Sequence, residues 1–349
     1  MNNTTRDPLA GTRPAFFPAP DDPADPNRRE RDLRVILAEP RPARTRRAVR
    51  RPRLLPVTAV AAAAAAAIVA GVVVVDGDSG APARTSAQRV LLAAADTVES
   101  AAATEVGRYW HTASRHYNTS RQGEYVVTLD SGEESWYSSS AADQTVSVNG
   151  IDATLRSQPP GAESDLAGAW AQSWDGPERF NVAGTTMPLD EVLALPTEPA
   201  ALKSWLLEQF EQNPPEYPME LTDRFLDAAL GLLSSVPTTA ETRAATYRML
   251  AELPELRTMD ASELPAGTVG IAHEMRYISE ETANGLVDYQ LIIDPDTGQL
   301  VENQMILLEP GTEDAPLPVG TILYHVTFQP AGWVDTDPVV PEGATVETY

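Results

Sequence analysis

Catalysis needs an acid, a base, a nucleophile or a metal, and this chain of 349 residues offers few candidates. It has no cysteine, which removes thiol nucleophiles, disulfides and cysteine-ligated zinc or iron–sulfur sites together. Two tripeptides, Asp130-Ser131-Gly132 and Asp296-Thr297-Gly298, have the form that supplies the paired carboxylates of aspartic proteases. Neither glycine is followed by Ser or Thr, Pro295 stands where an apolar strand residue is needed, and a helical stretch separates the two, so both read as hairpin turns. His111 and His116 lie five apart in a strand-like stretch, which sends their side chains to opposite faces and prevents shared ligation. His273-Glu274 begins like a metalloprotease helix, but Tyr277 takes the second histidine's place and the surroundings read as a strand. Asp294, Asp296 and Glu302 suggest a calcium loop in which Gly298 falls one position early. No catalytic residue, cofactor site or metal site is assigned, and the expectation is a protein that is not an enzyme.

The charge distribution says where such groups would work. Residues 1–56 hold thirteen arginines against seven acids, whereas Asp76 to Tyr349 holds 43 acids against thirteen basic residues, a net −30. A surface of that sign excludes nucleic acid as a partner by charge. Between the two parts, residues 57–75 (VTAVAAAAAAAIVAGVVVV) carry no charge over 19 positions. As a helix rising about 1.5 Å per residue they would cross most of a bilayer's hydrocarbon. Arg41, Arg44, Arg46, Arg47, Arg50, Arg51 and Arg53 precede the run and Asp76 and Asp78 follow it. The positive-inside rule then places the N-terminus in the cytoplasm and the acidic part outside a single-pass cell membrane. A retained signal anchor is expected, with the bilayer as partner of 57–75. A buried Ala-rich helix and a signal peptide cleaved after Ala81-Pro82-Ala83 are the competing readings.

Four regions follow from this: a cytoplasmic Pro/Arg-rich disordered tail (1–56), a transmembrane helix (57–75), a linker (76–85) and an extracytoplasmic domain (86–349). Ten prolines interrupt the tail. Within it only Asn27 to Ala38, NRRERDLRVILA, has the pattern of a short amphipathic helix, a candidate docking segment for a cytoplasmic protein. In the domain, Ser86 is expected to cap a helix reaching about Ala103. Alternating stretches then predict strands at Val106–Asn118, Gly123–Asp130, Glu134–Ser140 and Gln144–Leu155. Helical periodicity returns at Thr197–Gln212, with Thr197 as cap, at Leu221–Ser234 and at Thr239–Leu253. Further strands are expected at Leu256–Asp260, Thr268–Ser279, Leu286–Asp294, Gln299–Glu309 and Thr321–Gln329. The order helix, strands, helices, strands predicts an α+β fold with a curved antiparallel sheet packed over a few helices. This plan resembles the half-barrel of periplasmic lipoprotein carriers, an analogy of fold that transmits no function.

A second resemblance rests on a set of short motifs. These are Leu195-Pro196, Ala201-Leu202 with Trp205-Leu206, Leu232-Leu233, Arg243-Ala244-Ala245 with Tyr247-Arg248-Met249-Leu250-Ala251, Leu253-Pro254, Ile293 through Gly298, and Gly332-Trp333-Val334-Asp335. Together they resemble an uncharacterised actinobacterial family of single-span membrane proteins with an extracytoplasmic domain. Lys203 as the sole lysine and the Ala-rich span fit such a source, and Ser262 to Gly267 departs from the pattern. The resemblance implies membrane anchoring and supplies no catalytic residues.

Trp110, Trp136, Trp170, Trp174 and Trp205 with Tyr109, Tyr125 and Tyr137 offer material for an apolar ligand cavity between sheet and helices, or for plain core. Trp333, in a polar setting near the end, is the aromatic least explained by packing. The leading expectation is a membrane-anchored, extracytoplasmic, non-enzymatic sensor or ligand-binding domain for an apolar ligand, a peptide or a cell-wall component. An alternative is a tethered regulator of the anti-sigma-factor type acting through residues 27–38; a second is an extracytoplasmic hydrolase.

Overall fold

Thr85 opens the first helix, α1 (Ser86–Glu99), through a reciprocal box. Its hydroxyl accepts the Gln88 amide at 3.2 Å, and the Gln88 side chain accepts the Thr85 amide at 2.9 Å. The cap therefore sits one residue before the expected Ser86, because only Thr85 has a Gln three positions on to complete the exchange. The computed structural model describes residues 85–101, 105–122, 124–160, 169–215, 219–277, 285–311 and 317–348. The tail 1–56 with its Asn27–Ala38 segment, the run 57–75 and the linker up to residue 84 lie outside the described residues. Among the described residues no helix is long and apolar enough to cross a membrane.

The fold is α+β. The first strands are β1 (Tyr109–Gln122), β2 (Tyr125–Ser138), β3 (Gln144–Gln158) and β4 (Trp170–Asp175), a meander in which each pairs antiparallel with the next. A small hairpin of β5 (Arg179–Val182) and β6 (Thr185–Pro188) follows, then helices α2 (Leu189–Leu193), α3 (Pro199–Gln212), α4 (Leu221–Ser234) and α5 (Ala240–Leu250). The second meander is β7 (Arg257–Thr258), β8 (Val269–Tyr277), β9 (Gly285–Ile293), β10 (Leu300–Glu309) and β11 (Ile322–Phe328). The two meanders join edge to edge through β1 and β11, with Ser114 opposite Phe328 and Asn118 opposite Tyr324. The resulting sheet is open and mostly antiparallel, since β13 (Thr345–Thr348) alone adds in parallel, on β4. Short β12 (Gly332–Val334) continues the β11 side of β1.

Several expected boundaries shift, each for a local reason. Asp130-Ser131-Gly132 is not a turn: β2 runs through it, and the register shifts on both sides of Gly132. The bulge absorbs the glycine, whose absent side chain leaves room for Ile151, which a Cβ would meet at 3.2 Å. Asp296-Thr297-Gly298 does form the β9–β10 turn, with Gly298 at φ +67°. The N-cap position of helix α3 is Glu198 rather than Thr197, and Pro199 opens its first turn, where a missing amide costs nothing. Of the expected strand Leu256–Asp260 only Arg257 and Thr258 pair.

The helices cover one face of the sheet. Helix α5 is central, packing on α1, α3 and α4, and so its residues are buried on nearly every side. Its Thr246 hydroxyl donates to the Thr242 carbonyl at 2.9 Å, which satisfies a polar group at no accessible surface. Arg248 turns outward and binds Asp96 and Glu99 of α1 at 3.0 and 2.6 Å. Leu206, Phe225, Leu226, Tyr247, Leu250, Ile271 and Leu291 form the centre of the resulting core. Burial of each such side chain contributes roughly 1.5–3 kcal/mol.

The aromatic residues divide between the two faces. Trp110, Tyr137 and Trp205 join Phe180, Val192 and Leu232 beneath the helices. Tyr109 and Trp136 lie in a separate cluster with Val146, Val148 and Ala171. Adjacent strand residues point to opposite faces, so Tyr109 and Trp110 cannot line one cavity. Trp333 packs edge-on against Trp110 at 5.3 Å between ring centres, and Trp110 Nε1 donates to the Ser235 carbonyl at 2.8 Å. Packing therefore accounts for Trp333.

Candidate functional site

Alternation along β1 sends Thr112, Ser114 and His116 to the face beneath α4, and the cross-strand partner of Ser114 on β2 is Glu133. These residues floor a groove of about 550 Å³ between the sheet and α4. Arg224, Asp227 and Gly231 of α4, with Ser235 at its C-terminal cap, form its roof. Tyr324 and Phe328 of β11, Val182 and Gly184 of the β5–β6 hairpin, and Phe210 and Asn213 at the end of α3 close its sides. A smaller cavity of about 350 Å³ adjoins it and shares His116 and Glu133, with Asn118, Leu129, Asn149 and Trp170 around it. Volumes of this order suit a small organic molecule.

Two features shape this space. The β2 bulge at Gly132 lies in the wall of the smaller cavity. On the opposite side, Ala183 and Gly184 both have positive φ, +54° and +84°, and form a tight two-residue hairpin. Gly184 sits against Asn213, whose Cβ a side chain at Gly184 would approach to 2.7 Å, and this contact holds the hairpin to the end of α3.

The groove's charged groups are not paired alike. His116 Nε2 shares a hydrogen bond with Ser114 Oγ at 2.8 Å and lies 3.5 Å from Glu133 Oε2. Burial holds the imidazole below its ordinary value, with Glu133 acting weakly the other way. Serine and carboxylate approach the same ring nitrogen. A relay requires one on each nitrogen, so this trio does not have the geometry of a serine hydrolase. Arg224 donates to the backbone carbonyls of Phe210 and Asn213 at 2.9 and 3.0 Å and stacks 4.2 Å over the Phe210 ring. Its guanidinium thus closes the C-terminal end of α3. Asp227 is exposed on the open side of the groove, yet enough protein surrounds its carboxyl for desolvation to raise its pKa. It makes no hydrogen bond or ion pair with any described residue.

Residues singled out from the sequence for chemistry are dispersed. His111 stacks on Trp136 at 4.9 Å, on the face opposite His116. His273 lies in β8 and contacts Asp223 of α4 at 3.0 Å, deep in the interface. Asp294 accepts the Asp296 amide at 2.8 Å inside the turn, while Glu302 pairs with His325 at 3.1 Å, so these three do not converge on an ion. Among the described residues no group of three metal-ligating side chains comes together. Sequence reasoning missed Ser114, Glu133, Arg224 and Asp227, which are brought together only by the β1–β2 pairing and the placement of α4. No local pattern marked them: Asp227 is exposed on the side of Leu221–Ser234 away from its buried residues, where a charge is ordinary. No protein-family model matches the chain, and no curated protein matches it.

Proposed function

We propose that the protein is a ligand-binding module, a sensor or carrier rather than an enzyme, and that the groove beneath α4 is its binding site. The observation that supports this reading is the groove itself, walled by Phe210, Leu232, Val236 and Phe328 and dotted with a few polar groups, the usual composition of a ligand pocket. An open sheet with helices over one face fits the half-barrel plan inferred from the element order. The uncharged run 57–75 and the arginines before it support a single-span anchor with the acidic domain outside the membrane. The motif set resembling an actinobacterial single-span family agrees with that placement. A chain recovered in the soluble fraction of lysed cells would defeat the anchor.

Gly231 provides the test of the groove. It lies inside α4 and lines the cavity, and a Cβ added there would meet nothing within 4 Å. Gly231→Ala is expected to stabilise the fold by about 0.5–1 kcal/mol, because glycine is a poor helix residue and no clash offsets the gain. Gly231→Trp is expected to fold and to fill the groove. Native mass spectrometry of the full chain purified from its producing cells should show a small-molecule adduct that the Gly231→Trp variant lacks. Equal adducts on both proteins, or none on either, would count against the groove as binding site.

A further inference from the structure

We infer that the groove binds an organic ammonium ion, a positively charged nitrogen carried on an apolar body, with Asp227 as its counter-ion. This rests on the groove being a binding site and adds the charge and class of the ligand. The groove contains one cationic side chain that is always charged, Arg224, and both of its observed hydrogen bonds go to backbone carbonyls while its plane lies on Phe210. Both bonds leave from Nη2, the nitrogen shared by the two forks of a guanidinium, so neither fork is complete for an anion. Asp227, one turn further along α4, has no cationic partner among the described residues. Across the groove, the ion-pair partner of Glu133 among the described residues is His116, whose ring burial holds below its ordinary pKa and so toward the neutral form. A carboxylate in a partly desolvated cleft is costly until a cation joins it, and a ligand that supplies the cation recovers that cost.

The walls suit the same ligand. Tyr137, Tyr324 and Phe328 line the groove, and the faces of such rings attract ammonium groups through their quadrupoles. Residues 76–349 carry a net charge of −30, and a field of that sign raises the local concentration of cations at a cleft and repels anions. An ammonium bound at Asp227 would satisfy that carboxylate, with Glu133 adding to the negative field of the same groove and the ligand's apolar body against Leu232 and Val236.

The test uses three probes of one shape: benzyltrimethylammonium, its uncharged carbon isostere neopentylbenzene, and phenylmethanesulfonate. Each is titrated into the purified full-length chain at low ionic strength and followed by ligand-observed NMR. The cation is expected to bind at least tenfold more tightly than the isostere, and the anion least. Asp227→Asn should reduce that preference to less than threefold while leaving affinity for the isostere unchanged. Because Asp227 is exposed and has no hydrogen-bond or ion-pair partner among the described residues, retained isostere binding reports that the variant is intact. Added salt should weaken the cation alone. Equal binding of cation and isostere would overturn the ammonium assignment and leave the groove as a binding site. A preference for the sulfonate, or a cation preference that survives Asp227→Asn, would overturn it too. Failure of all three probes to bind would remove the groove reading on which the inference stands.

Discussion

Asp223→Ala is expected to destabilise the protein by about 3–5 kcal/mol, the cost of removing one partner from a buried pair and leaving the other uncompensated. Asp223 retains 3% of its surface, and its carboxylate meets His273 Nε2 at 3.0 Å where α4 packs on β8. The Asp223 hydrogen bond raises the pKa of His273 above its ordinary 6.5, outweighing burial, and the Glu255 backbone carbonyl and carboxylate act in the same direction. A raised histidine pKa means the folded state holds a proton that the unfolded state gives up first. The associated stability is complete below pH 6.5 and is lost as the pH rises through the folded-state value. His116 has the opposite sign: its lowered pKa withdraws stability as the pH falls below 6.5, so the two histidines act in different pH windows. The thermal midpoint of the wild type should therefore fall between pH 6 and pH 9, and His273→Gln should flatten that slope. A wild-type midpoint that is constant over this range would show that the pair is not protonated in the fold.

Gly298→Ala should cost about 2–5 kcal/mol, combining backbone strain at positive φ with overpacking against a helix. The residue sits at φ +67°, and a Cβ there would come within 2.5 Å of Val98 Cγ2 and 2.8 Å of the Ala94 carbonyl oxygen, both on α1. A valine methyl can move, whereas a helix carbonyl cannot without disturbing α1. The Gly298 carbonyl also accepts the Tyr247 hydroxyl at 2.8 Å, tying the β9–β10 turn to α5. Gly320 is the control, with φ +86° and nothing within 4 Å of the added Cβ. Gly320→Ala should show the strain alone, about 1–2 kcal/mol. Denaturant midpoints measured for both variants separate the two contributions. Equal losses would mean that the α1 contact does not constrain the turn.

The parts of the fold that were legible in the sequence are those whose information is local. Leu202, Leu206 and Phe210 recur at helical spacing and all three are buried in α3, and Phe225, Leu226 and Ala229 do the same in α4. The β9–β10 hairpin was readable because Asp294 through Gly298 is turn chemistry between two β-branched and apolar runs. The β2 strand was misread at Gly132 because a bulge and a turn use the same residues, and only the partner strand distinguishes them. The β5–β6 hairpin went unseen because its second turn position is Gly but its first is Ala183, a residue seldom found at positive φ.

By itself the sequence determined composition, charge division, the uncharged run 57–75, the placement of most helices and strands, and the α+β class, since each depends on neighbours within a few residues. Tertiary structure alone decided that β1 joins β11, that α4 lies over the β1–β2 pair, and that Asp227 and Glu133 line one groove. Those outcomes depend on contacts between residues about a hundred or more positions apart, and closing such loops is decided by the packing of the whole core, to which no local pattern testifies.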